Sequence, residues 1–325
     1  MRRWSLAAGL LASVSCRDKP GAPPPALPAV GGQVSLIRVP RYGGQVEVYA
    51  PDSLGKPIWL SRADLKPVRH VLGVDVEDRL LFLIDSTDAL IAVDLEARGV
   101  RGALTKVRQA TIVPDGSVYV TTTTNGVTHF TARTPTSYKP EVPGSLRFLV
   151  GTLGDRFVAA TATEPAKLLV MNAERMLHST DLPDGEPAAT YWGDLVAVPT
   201  PSGVSLFETS EPFGSYEIKV SGTPHAVTFS PSGHRIYVAR GKSDIVVFDR
   251  FSSSELTTIA LPGRADRIRT DVSGRWMLAK PFKGDSVWVI DLATNRLATT
   301  VRTEWQDDLP SMAGANDLLV RQGED

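Results

Sequence analysis

Six polar side chains recur at one point of a repeating pattern in this sequence: His70, Arg108, Arg147, His225, Asp266 and Asp308. The stretches Gly144-Ser145-Leu146-Arg147, Gly222-Thr223-Pro224-His225 and Gly263-Arg264-Ala265-Asp266 share one spacing, and Gly185-Glu186-Pro187-Ala188 repeats it with an alanine. His70, Arg108 and Asp308 fall in the same register without the glycine. Two His and two Asp brought to one point could hold a divalent metal, and two neighbouring carboxylates could share a proton. Arg108 and Arg147 are suited to holding an anionic group. The plainer reading of the same residues is a solvated ring of ion pairs. Metal ligation needs donor atoms about 2 Å from one centre, whereas neighbouring sheets lie roughly 10 Å apart, so the sharper readings require side chains that converge.

The elements that must position these residues are short strands. A turn followed by an apolar segment occurs as DRLLFLID, DGSVYVTT, GDRFVAAT, GDLVAVPT, SGHRIYVAR, SGRWMLAK and NDLLVRQ. Their anchor residues Leu81, Val118, Phe157, Leu195, Ile236, Trp276 and Leu318 recur every 37 to 42 residues. Gly, Asp and Ser supply the turns, and β-branched and aromatic residues suit a buried pleated surface. A second apolar strand follows most of them, as in VVFD and WVID, then a more exposed one; another precedes each turn, as in HAVTFSP. Four short strands per repeat, with no helical period after the leader, predict an all-β seven-bladed β-propeller. The C-terminal LLVRQGED supplies only the opening strands of a blade, and residues 45–60 read as its closing strands. The last blade is therefore expected to be shared between the two ends of the chain, which leaves no open sheet edge. Residues 34–40 are surplus to that scheme and read as an extra strand or a cap.

Pro224 to Gly233, then Ile236-Tyr237-Val238-Ala239 and Val246-Val247-Phe248-Asp249, resemble the YVTN-repeat group of seven-bladed propellers. The resemblance is sharp between residues 223 and 302, while the repeats between 105 and 210 lack the Asp that closes the strand. It implies a propeller whose relatives include lactonase-like enzymes and extracytoplasmic binding or surface proteins.

Ahead of the repeats, Arg2 and Arg3 precede an apolar run that ends at Cys16, the only cysteine. Residues 1–16 read as a secretory leader and resemble that of a bacterial lipoprotein, with Cys16 as the lipidated residue; a plain secretory cut after Ser15 is the alternative. Residues 17–32 are rich in Pro and Ala and read as an extended spacer, so the folded body is expected over 33–325. With 42% hydrophobic residues the chain can build a large core, and 35 basic against 36 acidic residues create no overall field for nucleic acid.

No G-x-S-x-G, H-E-x-x-H, Walker A or C-x-x-C-H motif occurs. His129, His178 and His234 stand alone and read as structural, as do Trp276 and Trp288; Tyr191 and Trp192 flank a turn and could line a mouth. Two functions are expected. The favoured one is a non-catalytic binding or scaffold protein, exported to the periplasm or cell surface and anchored through Cys16. Its partner would be an envelope protein, a glycan or a small molecule, met through residues 70, 108, 147, 225, 266 and 308. The alternative is a lactonase-type hydrolase in which a carboxylate or His activates water and Arg stabilises the oxyanion. No cofactor is assigned, and a divalent metal stays open as the alternative.

Overall fold

The computed structural model describes residues 35–40, 42–49, 56–57, 59–75, 80–95, 97–112, 118–122, 126–131, 134–152, 156–270, 274–284, 286–302, 311–312 and 318–323. Cys16, the spacer and Asp308 lie outside them. The chain is a β-propeller. Six antiparallel four-stranded sheets follow one another in the sequence: blade one (68–104), two (107–137), three (146–181), four (188–219), five (224–260) and six (265–302). In each, neighbouring strands in the sequence pair as hairpins.

Why the strands are apolar throughout, rather than alternating, is clear from blade five. Successive side chains of a strand point to opposite faces. Ile236 and Val238 pack with Leu195, Ala197 and Leu206 of blade four, while Tyr237 and Ala239 pack with Met277, Ala279 and Ile290 of blade six. Both faces are therefore core. Each of the larger apolar side chains, taken wholly out of water, contributes about 1.5–3 kcal/mol, and no blade can collect that without its neighbours. The first strands of neighbouring blades contact one another: Val68–Asp75 meets Val107–Ile112, which meets Leu146–Gly151, and Pro224–Phe229 meets Ala265–Thr270. These are the inner strands of the propeller.

Turn chemistry repeats as well. The last residue of the third strand accepts amide hydrogens from the turn that follows: Asp94 from Ala97, Asp249 from Phe251 and Ser252, Asp291 from Ala293. In blade three, where the sequence lacks that Asp, Asn172 accepts from Glu174 and Arg175 at 3.0 and 2.8 Å. The departure from the repeat is thus one of residue type and not of geometry.

Strands from near both ends of the chain meet in a further sheet, of five strands. Its order is Ser311–Met312, Leu318–Gly323, Ser35–Pro40, Glu47–Tyr49, Trp59–Leu60. The expectation that C-terminal strands would abut residues 45–60 directly is corrected by Ser35–Pro40, which lies between them. It pairs parallel with Leu318–Gly323, Ile37 opposite Val320, and antiparallel with Glu47–Tyr49. A parallel pair needs no hairpin, so chain ends far apart in sequence can make it. Ile37 and Val39 are fully buried and pack with Val46, Val48, Leu81 and Leu83. This sheet contacts blade one through Leu318–Gly323 and blade six through Ser311–Met312.

Candidate functional site

The second residue of each long inner strand sits in a β-bulge. Arg108, Arg147, His225 and Asp266 are each the extra residue where the register shifts between the positions flanking them. A bulge turns its unpaired residue out of the ladder, and this is what the common spacing in the sequence reflects. In blade one the equivalent residue is Arg69, not His70: Val68 pairs Asp85 and His70 pairs Ile84, with Arg69 between. A second bulge, at Leu72, adds one residue to that strand, so counting back from the hairpin lands one position too far along. Blade four departs too. Its inner strand is only Ala188–Ala189, and Ala188 pairs Ala197, deep in the sheet. Gly185 instead lies against the end of the second strand, where an added Cβ would sit 2.6 Å from the Pro199 carbonyl oxygen.

Most of these groups hold blade to blade. Arg69 Nη2 donates to the carbonyls of Val107 and Arg108 in blade two at 3.3 and 2.9 Å, and its Nη1 lies 2.9 Å from Asp88 Oδ1. Gln109 Nε2 donates to the Leu146 carbonyl of blade three at 3.0 Å, and Arg147 Nη2 to the Pro183 carbonyl at 2.8 Å. His225 meets Arg264 of the next blade, Nδ1 to Nη2, at 3.4 Å. A guanidinium only donates, so Nδ1 is the acceptor of a neutral imidazole. Burial, and after it the charge of Arg264, hold the His225 pKa below its ordinary value, against the opposing pull of Asp266. Arg264 also lies 3.8 Å from Asp266 Oδ1 and stacks 4.3 Å above the Phe282 ring.

Of the two His and two Asp that a metal would need at one point, His70, His225 and Asp266 do not form such a group, and Asp308 lies outside the described residues. His225 and Asp266 are joined through Arg264. With Arg69, Arg108, Gln109 and the residues around Ser145, His70 lines a cleft of about 270 Å³ at the starts of the inner strands of blades one to three. Arg147 is not among the lining residues, and Asp308 lies outside the described part. Among the described residues, no three His, Cys, Asp or Glu side chains come together as a metal would require. Sequence reasoning missed Arg69, Gln109 and Arg264. Arg69 was masked by the extra bulge, and Arg264 lies one residue before its strand, outside the repeated position.

Two of the isolated histidines are packing groups, whereas His234 is exposed and meets the exposed Phe251 ring edge to face at 5.4 Å. His129 is buried and stacked on Tyr119 at 3.9 Å, and His178 on Phe213 at 4.6 Å. Trp288 is core, with Gly263 against it. Tyr191 and Trp192 are exposed and meet edge to face in the hairpin after Ala189, at the opposite end of the blade from the cleft. In that hairpin Asp194 accepts from Thr190 Oγ1 and, at 2.8 Å, from Arg250 of blade five. Burial alone would raise the Asp194 carboxyl, but the Thr190 hydroxyl and the Arg250 guanidinium outweigh it and hold the carboxyl below its ordinary range.

Comparison with known proteins adds the fold. No family model and no curated protein matches the chain. Among solved structures, the chain is similar to a chain of the hydrazine synthase of Kuenenia stuttgartiensis, with a TM-score of 0.53 at 12% identity, over 84% of this chain and 96% of that one. At that identity the likeness is one of architecture, and it agrees with the blades described above: the chain is a β-propeller.

Proposed function

We propose that this chain is a seven-bladed propeller of the YVTN-repeat kind that is exported, tethered at the cell envelope through Cys16, and binds a protein, glycan or small molecule without catalysing a reaction. In this reading the five-stranded sheet is the seventh blade, contacting blades one and six as a ring requires.

One observation carries the binding reading over the hydrolase. The polar residues of the inner strands reach to backbone carbonyls of the next blade or of the link that leads to it, as Arg69, Gln109 and Arg147 do, in place of converging on one point where a reacting atom would sit. A hydrolase needs a base and an oxyanion donor within about 3 Å of the same substrate atoms. The partnered arrangement suits a rigid platform on which a ligand docks with little reorganisation.

The test is expression of the full chain in a bacterial host, with an acyl label, envelope fractionation, in-cell crosslinking and an assay of lactone hydrolysis. Label in the wild type and none in Cys16→Ser, together with a reproducible crosslinked partner and no turnover, is the expected result. Turnover of a lactone lost in Asp266→Asn or His225→Gln would overturn it in favour of the hydrolase.

A further inference from the structure

The cleft across blades one to three has a chemistry of its own. Its lining includes Arg69, Arg108, Gln109, Thr121, Thr122 and Ser145, and no Asp or Glu among the described residues. Two guanidiniums and three hydroxyls thus come from three blades, and the imidazole of His70 adds a further polar group. Arg108 is exposed and projects from its bulge, while Arg69 is fixed by the Val107 and Arg108 carbonyls and by Asp88, so one cation is held in place before any ligand arrives.

From this arrangement we infer that the cleft binds a phosphate group. The charge selects an oxyanion, since guanidiniums form charge-assisted hydrogen bonds with such groups. The placement selects a tetrahedral one. Donors that approach from three blades match oxygens pointing in three or four directions, whereas a carboxylate accepts mainly in one plane. Basicity refines the choice. Phosphate and phosphate monoesters are conjugate bases of weaker acids than sulfate is, so their oxygens are the more basic. They therefore accept more strongly from guanidinium and hydroxyl donors than sulfate does. At about 270 Å³ the cleft falls just below the range usual for small-molecule pockets, so the ligand is phosphate or a small phosphate ester, not a macromolecular chain. This deepens the binding reading above and rests on it.

The experiment is calorimetric titration of the detergent-solubilised full chain with inorganic phosphate, glycerol 3-phosphate, sulfate and acetate. Saturable binding of phosphate is expected, with sulfate at least about tenfold weaker and acetate weaker still. Tighter binding of glycerol 3-phosphate than of phosphate would identify an ester as the occupant, and the reverse order free phosphate. Arg108→Gln and, separately, Thr122→Val should each weaken binding several-fold, and thermal unfolding without ligand, followed beside it, separates loss of the site from loss of the fold. No saturable phosphate binding, equal affinity for sulfate, or affinity untouched by both variants would each overturn the assignment. Crosslinking to an envelope partner would then leave the wider binding reading standing, whereas lactone turnover would remove that reading itself.

Discussion

Arg69 of blade one donates to the carbonyl oxygen of Arg108 in blade two at 2.9 Å, so the two bulge residues of neighbouring blades are joined side chain to backbone. The same device recurs one blade on, where Gln109 reaches Leu146, and again where Arg147 reaches Pro183. A propeller without covalent closure must keep its wedges in register, and these bonds do so next to the axis, where the inner strands crowd together.

Replacing Arg69 with Gln should therefore cost stability and not only charge. The ion pair with Asp88 is open to solvent, at 40% and 48% exposure, and contributes little. The bonds to two carbonyls carry more, and a loss of about 1 kcal/mol is expected in urea unfolding. Asp88→Asn should cost less than half of that. Equal unfolding midpoints for Arg69→Gln and the wild type would show that the inter-blade bonds do not contribute.

Gly193 should tolerate no side chain. Its φ of +68° lies in the left-handed region, and a Cβ there would stand 2.6 Å from the Gly151 carbonyl oxygen and 2.9 Å from Thr152 Cγ2 in blade three. Gly193→Ala is expected to destabilise by about 2 kcal/mol or more. Gly99 is the control: it has open space where a Cβ would go, and Gly99→Ala should stay within about 0.5 kcal/mol. Similar midpoints for both would remove the close contact between blades as the cause.

His225 gives a pH dependence whose sign is fixed. Its folded pKa lies below the unfolded value of 6.5, through burial first and the Arg264 charge second. The unfolded chain then takes up a proton more readily than the folded one, so this group's contribution is complete above about pH 6.5 and is lost as pH falls through the folded pKa. Arg264→Gln removes one of the two depressing causes, and the His225 imidazole followed by NMR should titrate at higher pH in that variant. An unmoved titration would mean that burial alone sets it.

Much of this was legible in the sequence, and the reasons for the rest are local. The hairpin repeat, from HAVTFSP to VVFD, is written in turn residues and apolar runs because every blade faces the same packing problem on both sides. The spacing that singled out Arg147, His225 and Asp266 marks a bulge, which is real structure. Bulges insert residues without changing composition, so the extra one at Leu72 moved the assignment from Arg69 to His70, and the short strand of blade four put Gly185 where Ala188 was expected. Cross-blade partners such as Arg264 for His225 depend on separation in space and leave no pattern in the chain.

Residues 35–40 could be read as an extra strand or a cap, but their place could not, because a parallel strand has no turn to announce it. Their importance can be measured. Ile37 is fully buried in the cluster with Val48, Leu81 and Leu83, between the sheet that unites the chain ends and blade one. If that sheet is a structural blade, Ile37→Ala removes a buried branched side chain from an inter-blade core and should cost about 2–5 kcal/mol. Leu256, half exposed on an outer strand, gives the comparison, and Leu256→Ala should cost well under 1 kcal/mol. An Ile37→Ala loss as small as that of Leu256→Ala would mean that the strand is an appendage and that six blades hold together without it. A large loss in a single cooperative transition would mean that the strand is part of the propeller core.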